Sequence, residues 1–152
     1  MLALLALGGS CTTDPVFPAE PRIEFIDIQP RVVKELADSI LVTFRFQDGD
    51  GDLGASDGQP NLFLIDSRIN SGLTEAQATN TFALPVLSPA ARNPSIQGEI
   101  TIKMTFTALQ LGFTEQEVRY QIKLYDRAGN LATPIADGAE RAIYTDYITV
   151  VK

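Results

Sequence analysis

The chain has 152 residues, with 19 acidic against 12 basic side chains, a net charge of −7, one Cys and neither His nor Trp. Without imidazole there is no His-based triad, no His metal ligand and no His general base. An isoelectric point near 4.5 argues against nucleic acid as partner, because that affinity comes from Lys and Arg neutralising phosphates. At 45 % hydrophobic and 20 % charged, the composition is that of one globular domain with a well-filled core.

Residues 1–10, MLALLALGGS, are uncharged, and Leu2 to Leu7 form an apolar run that ends in small residues before the lone Cys11. The run is too short for a bilayer core, which takes about 20 apolar residues, and reads as a targeting segment. An apolar run, Gly8-Gly9-Ser10 and then Cys11 resembles the lipobox of bacterial lipoproteins. That resemblance implies cleavage before Cys11, lipidation of Cys11 and anchoring to the outer membrane. The plainer alternative is an N-terminal arm with a single thiol. Residues 11–21 carry Pro15, Pro18 and Pro21 and form a semi-rigid tether, at about 3.1 Å per residue roughly 30 Å for ten residues. The folded domain is expected over residues 22–152.

From Arg22 onward the dominant pattern is alternation with period two, which predicts half-buried strands. It is clearest over 38–47, 99–106 and 118–125, and weaker over 22–28, 61–66, 81–87 and 142–151. The expected core comprises Ile23, Phe25, Ile40, Val42, Phe44, Phe46, Ile100, Ile102, Met104, Phe106, Tyr120, Ile122 and Leu124. Capping-box spacing at Thr74-x-x-Gln77 and Thr114-x-x-Glu117 predicts one helical turn after each Thr. About seven short strands without a long helix predict an all-β, antiparallel two-sheet β-sandwich.

The approach to residues 118–124 resembles immunoglobulin-like (Ig-like) and fibronectin-type modules. The resemblance places Tyr120 at the tyrosine corner and Ile122 where antibody domains carry their second disulfide cysteine.

The segment FQDGDGDLGASDG, residues 46–58, directly follows a predicted strand and sets Asp48, Asp50, Asp52 and Asp57 among four glycines. At separations near 6 Å, each carboxylate pair costs about 0.7 to about 3 kcal/mol between water-like and surface-like dielectrics. A Ca²⁺ ion, which takes 6–8 oxygens from carboxylates and carbonyls, converts that repulsion into coordination. The EF-hand pattern fails, since Leu53 and Gln59 stand where it requires Gly and Glu. The alternative is a solvated double turn, Asp-Gly being a common tight-turn pair.

A second constellation, YDRAGN at residues 125–130, follows the strand containing Tyr120. If the two loops share one end of the sandwich, Asp126 and Asn130 join Asp48, Asp50 and Asp52 as candidate Ca²⁺ ligands. FQDGDGDLG and YDRAGN together are similar to those of small Bacteroidetes-type cell-envelope lipoproteins with an Ig-like domain. The resemblance spans most of residues 22–152 and implies fold and location, with no activity attached.

Catalysis is not expected. The Gly-rich loop reads as exposed, without the apolar pocket that raises one carboxylate of a hydrolytic pair, and no nucleophile-base spacing is evident. The expected role is therefore a non-catalytic interaction or accessory module held at the membrane, with an envelope protein as possible partner. The alternative is polysaccharide binding within an envelope glycan-uptake system, for which Phe17, Phe113, Tyr125 and Tyr144 are the candidate exposed aromatics.

Overall fold

Ile40–Asp48 (β3) alternates strictly, with Ile40, Val42, Phe44 and Phe46 buried and Leu41 and Arg45 exposed, so one face of this strand faces a core and the other water. It occupies the middle of its sheet, pairing antiparallel with both Arg22–Gln29 (β1) and Ile96–Met104 (β6). The computed structural model describes residues 16–87, 95–105, 107–136, 138 and 142–152. Cys11, the targeting segment and Phe106 lie outside them.

The remaining strands are Val32–Lys34 (β2), Leu62–Asp66 (β4), Thr79–Phe82 (β5), Glu115–Val118 (β7), Tyr120–Leu124 (β8), Thr133–Pro134 (β9), Ile143–Tyr144 (β10) and Ile148–Val151 (β11). They form three sheets, ordered β6-β3-β1-β9, β10-β8-β4-β5 and β2-β11-β7. The last two are continuous along the chain. Only Arg119 separates β7 from β8, and only Thr145–Tyr147 separate β10 from β11. The molecule is thus an all-β sandwich of two layers, one of them split, with the connection order of an Ig-like domain. Two pairings, β1 with β9 and β2 with β11, are parallel.

Between the layers lie Ile23, Ile40, Val42, Phe44, Phe46, Ile102, Met104, Tyr120, Ile122 and Leu124, as the alternation predicts, joined by Leu53, Leu62, Leu64 and Ile148. Phe25 and Ile100 pack against this cluster partly buried. Phe25 precedes a register shift between Phe25 and Asp27, the extra residue of a bulge turning the strand. Tyr120 is buried, and burial pushes its hydroxyl up to about 12.

Four expectations are corrected. Thr114-x-x-Glu117 opens no helical turn, because Glu115–Val118 pairs with β11 across four register positions, and long-range pairing overrides a local capping signal. The other capping box is present in full, with Thr74 and Gln77 bonding reciprocally ahead of a one-turn helix, Glu75–Ala78 (α1). The strand expected over 81–87 stops at Phe82. Beyond it the Leu84 N–H donates to the Asn61 side chain (2.9 Å) and the Leu84 carbonyl accepts from Ala55 (2.7 Å), so both serve a loop. The strand expected over 142–151 is interrupted where Thr145 turns its hydroxyl to accept from the Tyr120 N–H (3.0 Å). The strand expected over 118–125 is broken by Arg119.

Truncating Phe44 to Ala should cost about 3–5 kcal/mol, whereas Leu41→Ala, at a position 43 % exposed, should stay within about 0.5 kcal/mol. Urea unfolding of the two variants measures the contrast, and equal losses would contradict the assigned faces.

Candidate metal centre

The alternation that buries Phe46 also buries Asp48, two residues on. Asp48 is 0 % exposed, a carboxylate at the core end of the central strand. The chain then doubles back, so that the Leu53 N–H donates to Asp48 Oδ2 (2.9 Å) while the Leu53 side chain is fully buried in the core. Gly51 and Gly54 are buried too. The loop expected to be exposed is therefore buried at Gly51, Leu53 and Gly54 and half-buried at Asp52, because Leu53 acts as a hydrophobic plug. Gly54 has φ +104°, and a Cβ there would lie 2.2 Å from the Pro85 carbonyl oxygen, so only glycine fits. Gly49 serves a different neighbour: its N–H donates to the Pro18 carbonyl (2.8 Å), and a Cβ would lie 2.2 Å from the Phe17 carbonyl oxygen. The arm that leads into β1 is fastened across this loop.

Asp48, Asp50 and Asp52 each offer an oxygen within 4.8 Å of the other two, in a group that could hold a metal ion. At that spacing each charged pair costs about 0.9 to about 3.5 kcal/mol between water-like and surface-like dielectrics. No Lys or Arg among the described residues ion-pairs with any of the three. Asp48 Oδ1 and Asp52 Oδ1 are buried without a hydrogen-bond partner, an arrangement that needs an explanation in a native fold. Burial, followed by the Asp50 and Asp52 charges, pushes the Asp48 carboxyl up to about 6 against a lowering bond from Leu53. Asp52 is raised by burial and by Asp126 and Asp50. Three monodentate or bidentate carboxylates supply three to six oxygens, within reach of the needs of a hard cation once water or carbonyls are added. A cation there removes the repulsion and meets the bare oxygens.

The second loop arrives at the same end. Leu53 and Asp126 form a β-bridge, and the Ala128 N–H donates to Asp52 Oδ2 (3.1 Å). The side chains of Asp126 and Asn130 turn to each other, however. Asp126 Oδ1 accepts from the Asn130 N–H (2.7 Å) and Oδ2 from the Asn130 amide (2.8 Å). The structure thus gathers Asp48, Asp50 and Asp52 as one donor set, while Asp126 and Asn130 close their own turn and act on the set through the Asp126 charge and the backbone. Asp57 is exposed and caps its own turn by accepting from Gln59 N–H (2.9 Å).

Sequence reasoning missed the burial of another carboxylate, Asp66. At the opposite end of the sandwich the Asp66 carboxylate meets Arg68 (2.7 Å), whose guanidinium also donates to the Ala108 carbonyl, Gln116 and Thr107. This pair walls a cavity of about 660 Å³. Its sequence signal was slight: Asp66 falls on the core-facing parity of β4. Asn61 is the other missed residue, its buried amide bridging Tyr125 and Leu84 (3.1 and 2.9 Å) and so tying the two loops' strands together.

No protein-family model matches the chain, and no curated protein and no solved structure matches it.

Asp48 titrates above its ordinary value in the folded protein, so the folded state holds that proton more tightly than the unfolded chain does. Its stabilising contribution is complete below about pH 4 and is lost as pH rises through about 6. In chelator-treated protein, native stability should therefore fall relative to Asp48→Asn between pH 4 and pH 7. Parallel thermal melts across that range check it; a constant difference between the two proteins would contradict the assignment.

Proposed function

We propose that this chain is a non-catalytic, lipid-anchored module of the bacterial cell envelope, with residues 1–10 as signal, Cys11 as lipidated residue and residues 11–21 as tether. Its Ig-like domain, with a Ca²⁺-braced pole, presents its surface to a partner. The observation that carries this reading is the pair of bare, buried oxygens, Asp48 Oδ1 and Asp52 Oδ1, beside the place where the Phe17–Pro18 arm crosses Gly49. A tether entering there holds the acidic pole towards the membrane and leaves the opposite end outermost. An ion at the anchored pole then braces the fold instead of capturing a ligand.

Ca²⁺ is favoured over Mg²⁺ on physical grounds. Mg²⁺ demands near-ideal octahedral geometry and gives up water reluctantly, whereas Ca²⁺ accepts irregular sets of carboxylates, and one donor here is fully buried. A structural role also fits the inaccessibility of Asp48. Although its carboxyl is raised to about 6, the range of a general acid, it lies beneath Leu53 where no substrate reaches it. Among the described residues no helix is long and apolar enough to cross a membrane, so attachment through Cys11 is the route this reading uses.

One observation favours polysaccharide binding as the second reading. Phe63 on β4, Tyr125 just after β8 and Tyr144 on β10 each sit between buried neighbours, and Tyr147, just before β11, is 51 % exposed, which gives four outward aromatic rings along the second layer. Phe113 is exposed away from them beside the Asp66–Arg68 cavity, and Phe17 is half-buried in the arm.

Two measurements check the main reading. Native protein should partition with membranes and Cys11→Ala should be released; identical partitioning would overturn the anchor. In purified domain, Ca²⁺ at a hundredfold excess over its Kd should stabilise by about 2.7 kcal/mol, Mg²⁺ should do less, and Asp50→Asn should weaken the response. A melting temperature indifferent to Ca²⁺ would leave the loop a bare turn.

A further inference from the structure

Arg119 is the one residue that separates β7 from β8, and it faces outward between buried Val118 and Tyr120. Its backbone is held from both sides, with Ser67 N–H donating to the Arg119 carbonyl (2.9 Å) and Arg119 N–H donating to Ser67 Oγ (3.3 Å). The guanidinium lies over two rings, 4.2 Å from the centroid of Tyr144 and 5.1 Å from that of Tyr147. Both distances are within cation–π range, so the long side chain is ordered before any ligand arrives. Its Nε is buried without a partner, and its terminal nitrogens take part in no hydrogen bond or ion pair with the described residues. Of the nearby carboxylates, Asp66 is engaged by Arg68 (2.7 Å) and Asp146, between the two tyrosines in sequence, by Arg31 (3.0 Å), while Glu117, exposed two residues before Arg119 on the same outward parity, makes no ion pair with it. In a chain of net charge −7, a stacked Arg left without an acidic partner is a fork of donors open to an outside anion. A planar fork matches a carboxylate with two parallel bonds.

The surroundings choose the kind of ligand. Along the same outer face, Glu117 precedes Arg119 and Gln121 and Lys123 follow it at every second position, with Ile65 and Phe63 opposite the latter two on β4 and Thr79 and Thr81 beyond on β5. Hydroxyls, an amide and a second cation interleave with half-exposed rings, so polar groups break up the apolar surface along these strands. A peptide added as a strand would read backbone at a sheet edge, whereas these groups stand on the sheet's face. Flat rings beside hydroxyl and amide groups suit the apolar faces and hydroxyls of pyranose rings.

We propose that the outer face around Arg119, Tyr144 and Tyr147 binds an acidic oligosaccharide, one whose sugar carboxylate sits on the Arg119 guanidinium. This inference rests on the polysaccharide-binding reading and names its substrate class and its charge-reading residue. Arg119 supplies the fork, the two tyrosines fix it and offer ring faces to the sugar, and Lys123 extends the positive potential along the strand.

The test is calorimetric titration of the intact domain with three probes: trigalacturonic acid, the uncharged galactose trimer, and a Glu-rich peptide of equal charge. Trigalacturonic acid should bind saturably, at least tenfold more tightly than either of the others. Arg119→Gln and Arg119→Lys should each weaken it tenfold or more, since Lys lacks the planar fork, and Tyr147→Ala, at a position 51 % exposed, should weaken it while leaving the melting temperature in place. Equal binding of charged and neutral trimers, unaffected by Arg119→Gln, would overturn the acidic-sugar assignment and keep the polysaccharide reading. Absence of binding to both trimers would overturn the two together. Tighter binding of the peptide would mean that the fork serves an acidic protein segment instead.

Discussion

Placing Asp48 on the core face of β3 forces the rest of the pole into shape. Its Oδ2 holds the Leu53 N–H, Leu53 seals the sandwich, and the bridge from Leu53 to Asp126 draws the second loop over the first. Tyr125 N–H then donates to the Asn61 carbonyl (2.8 Å), which closes the strands beneath. Every contact in this chain starts from a buried carboxylate with one bare oxygen. A buried charge is tolerated when paired or when neutralised by a proton; Arg127 lowers only Asp52 and no Lys or Arg among the described residues ion-pairs with Asp48, which leaves a proton at mildly acidic pH or a metal ion above it.

The two ends of the sandwich solve the same problem differently. At the far end Asp66 is met by Arg68, whose other donors are taken up by Ala108, Gln116 and Thr107, so that end carries its own cation. Such a pair, once buried, is costly to break from one side. At the acidic pole Arg127 makes no ion pair with the three carboxylates among the described residues, and that end depends on solution conditions. The arm at Phe17–Pro18 packs onto that pole, and β9 pairs there with the start of β1 (Thr133 with Arg22), so the chain's entry, the Asp-Gly loop and the segment after β8 are stabilised or loosened together.

The core faces of β1, β3, β6 and β8 could be read from the sequence because burial on one side imposes period two. Sandwich topology made the meeting of two distant loops a conditional expectation, and the Leu53–Asp126 bridge supplies what spacing could not. The burial of Asp48 was present in the same alternation, yet an Asp beside Gly suggests solvent, and only the plug formed by Leu53 reverses that. Gly49 read as part of an Asp-Gly turn and proves also to be clearance for the arm. β2 and β9, at three and two residues, have no periodicity to read and exist through their parallel partners. Glu115–Val118 is a strand because β11 lies beside it, and the mutual bonding of Asp126 with Asn130 is a matter of side-chain rotation that spacing does not encode.

Carbon-13 NMR of the Asp48 carboxyl, titrated over pH 3–8 with chelator and again with Ca²⁺, tests the central claim most directly. With chelator the midpoint should lie near 6. With Ca²⁺ it should move well below the ordinary carboxylate value, as the ion competes with the proton. A midpoint near 4 that Ca²⁺ leaves unchanged would contradict the account.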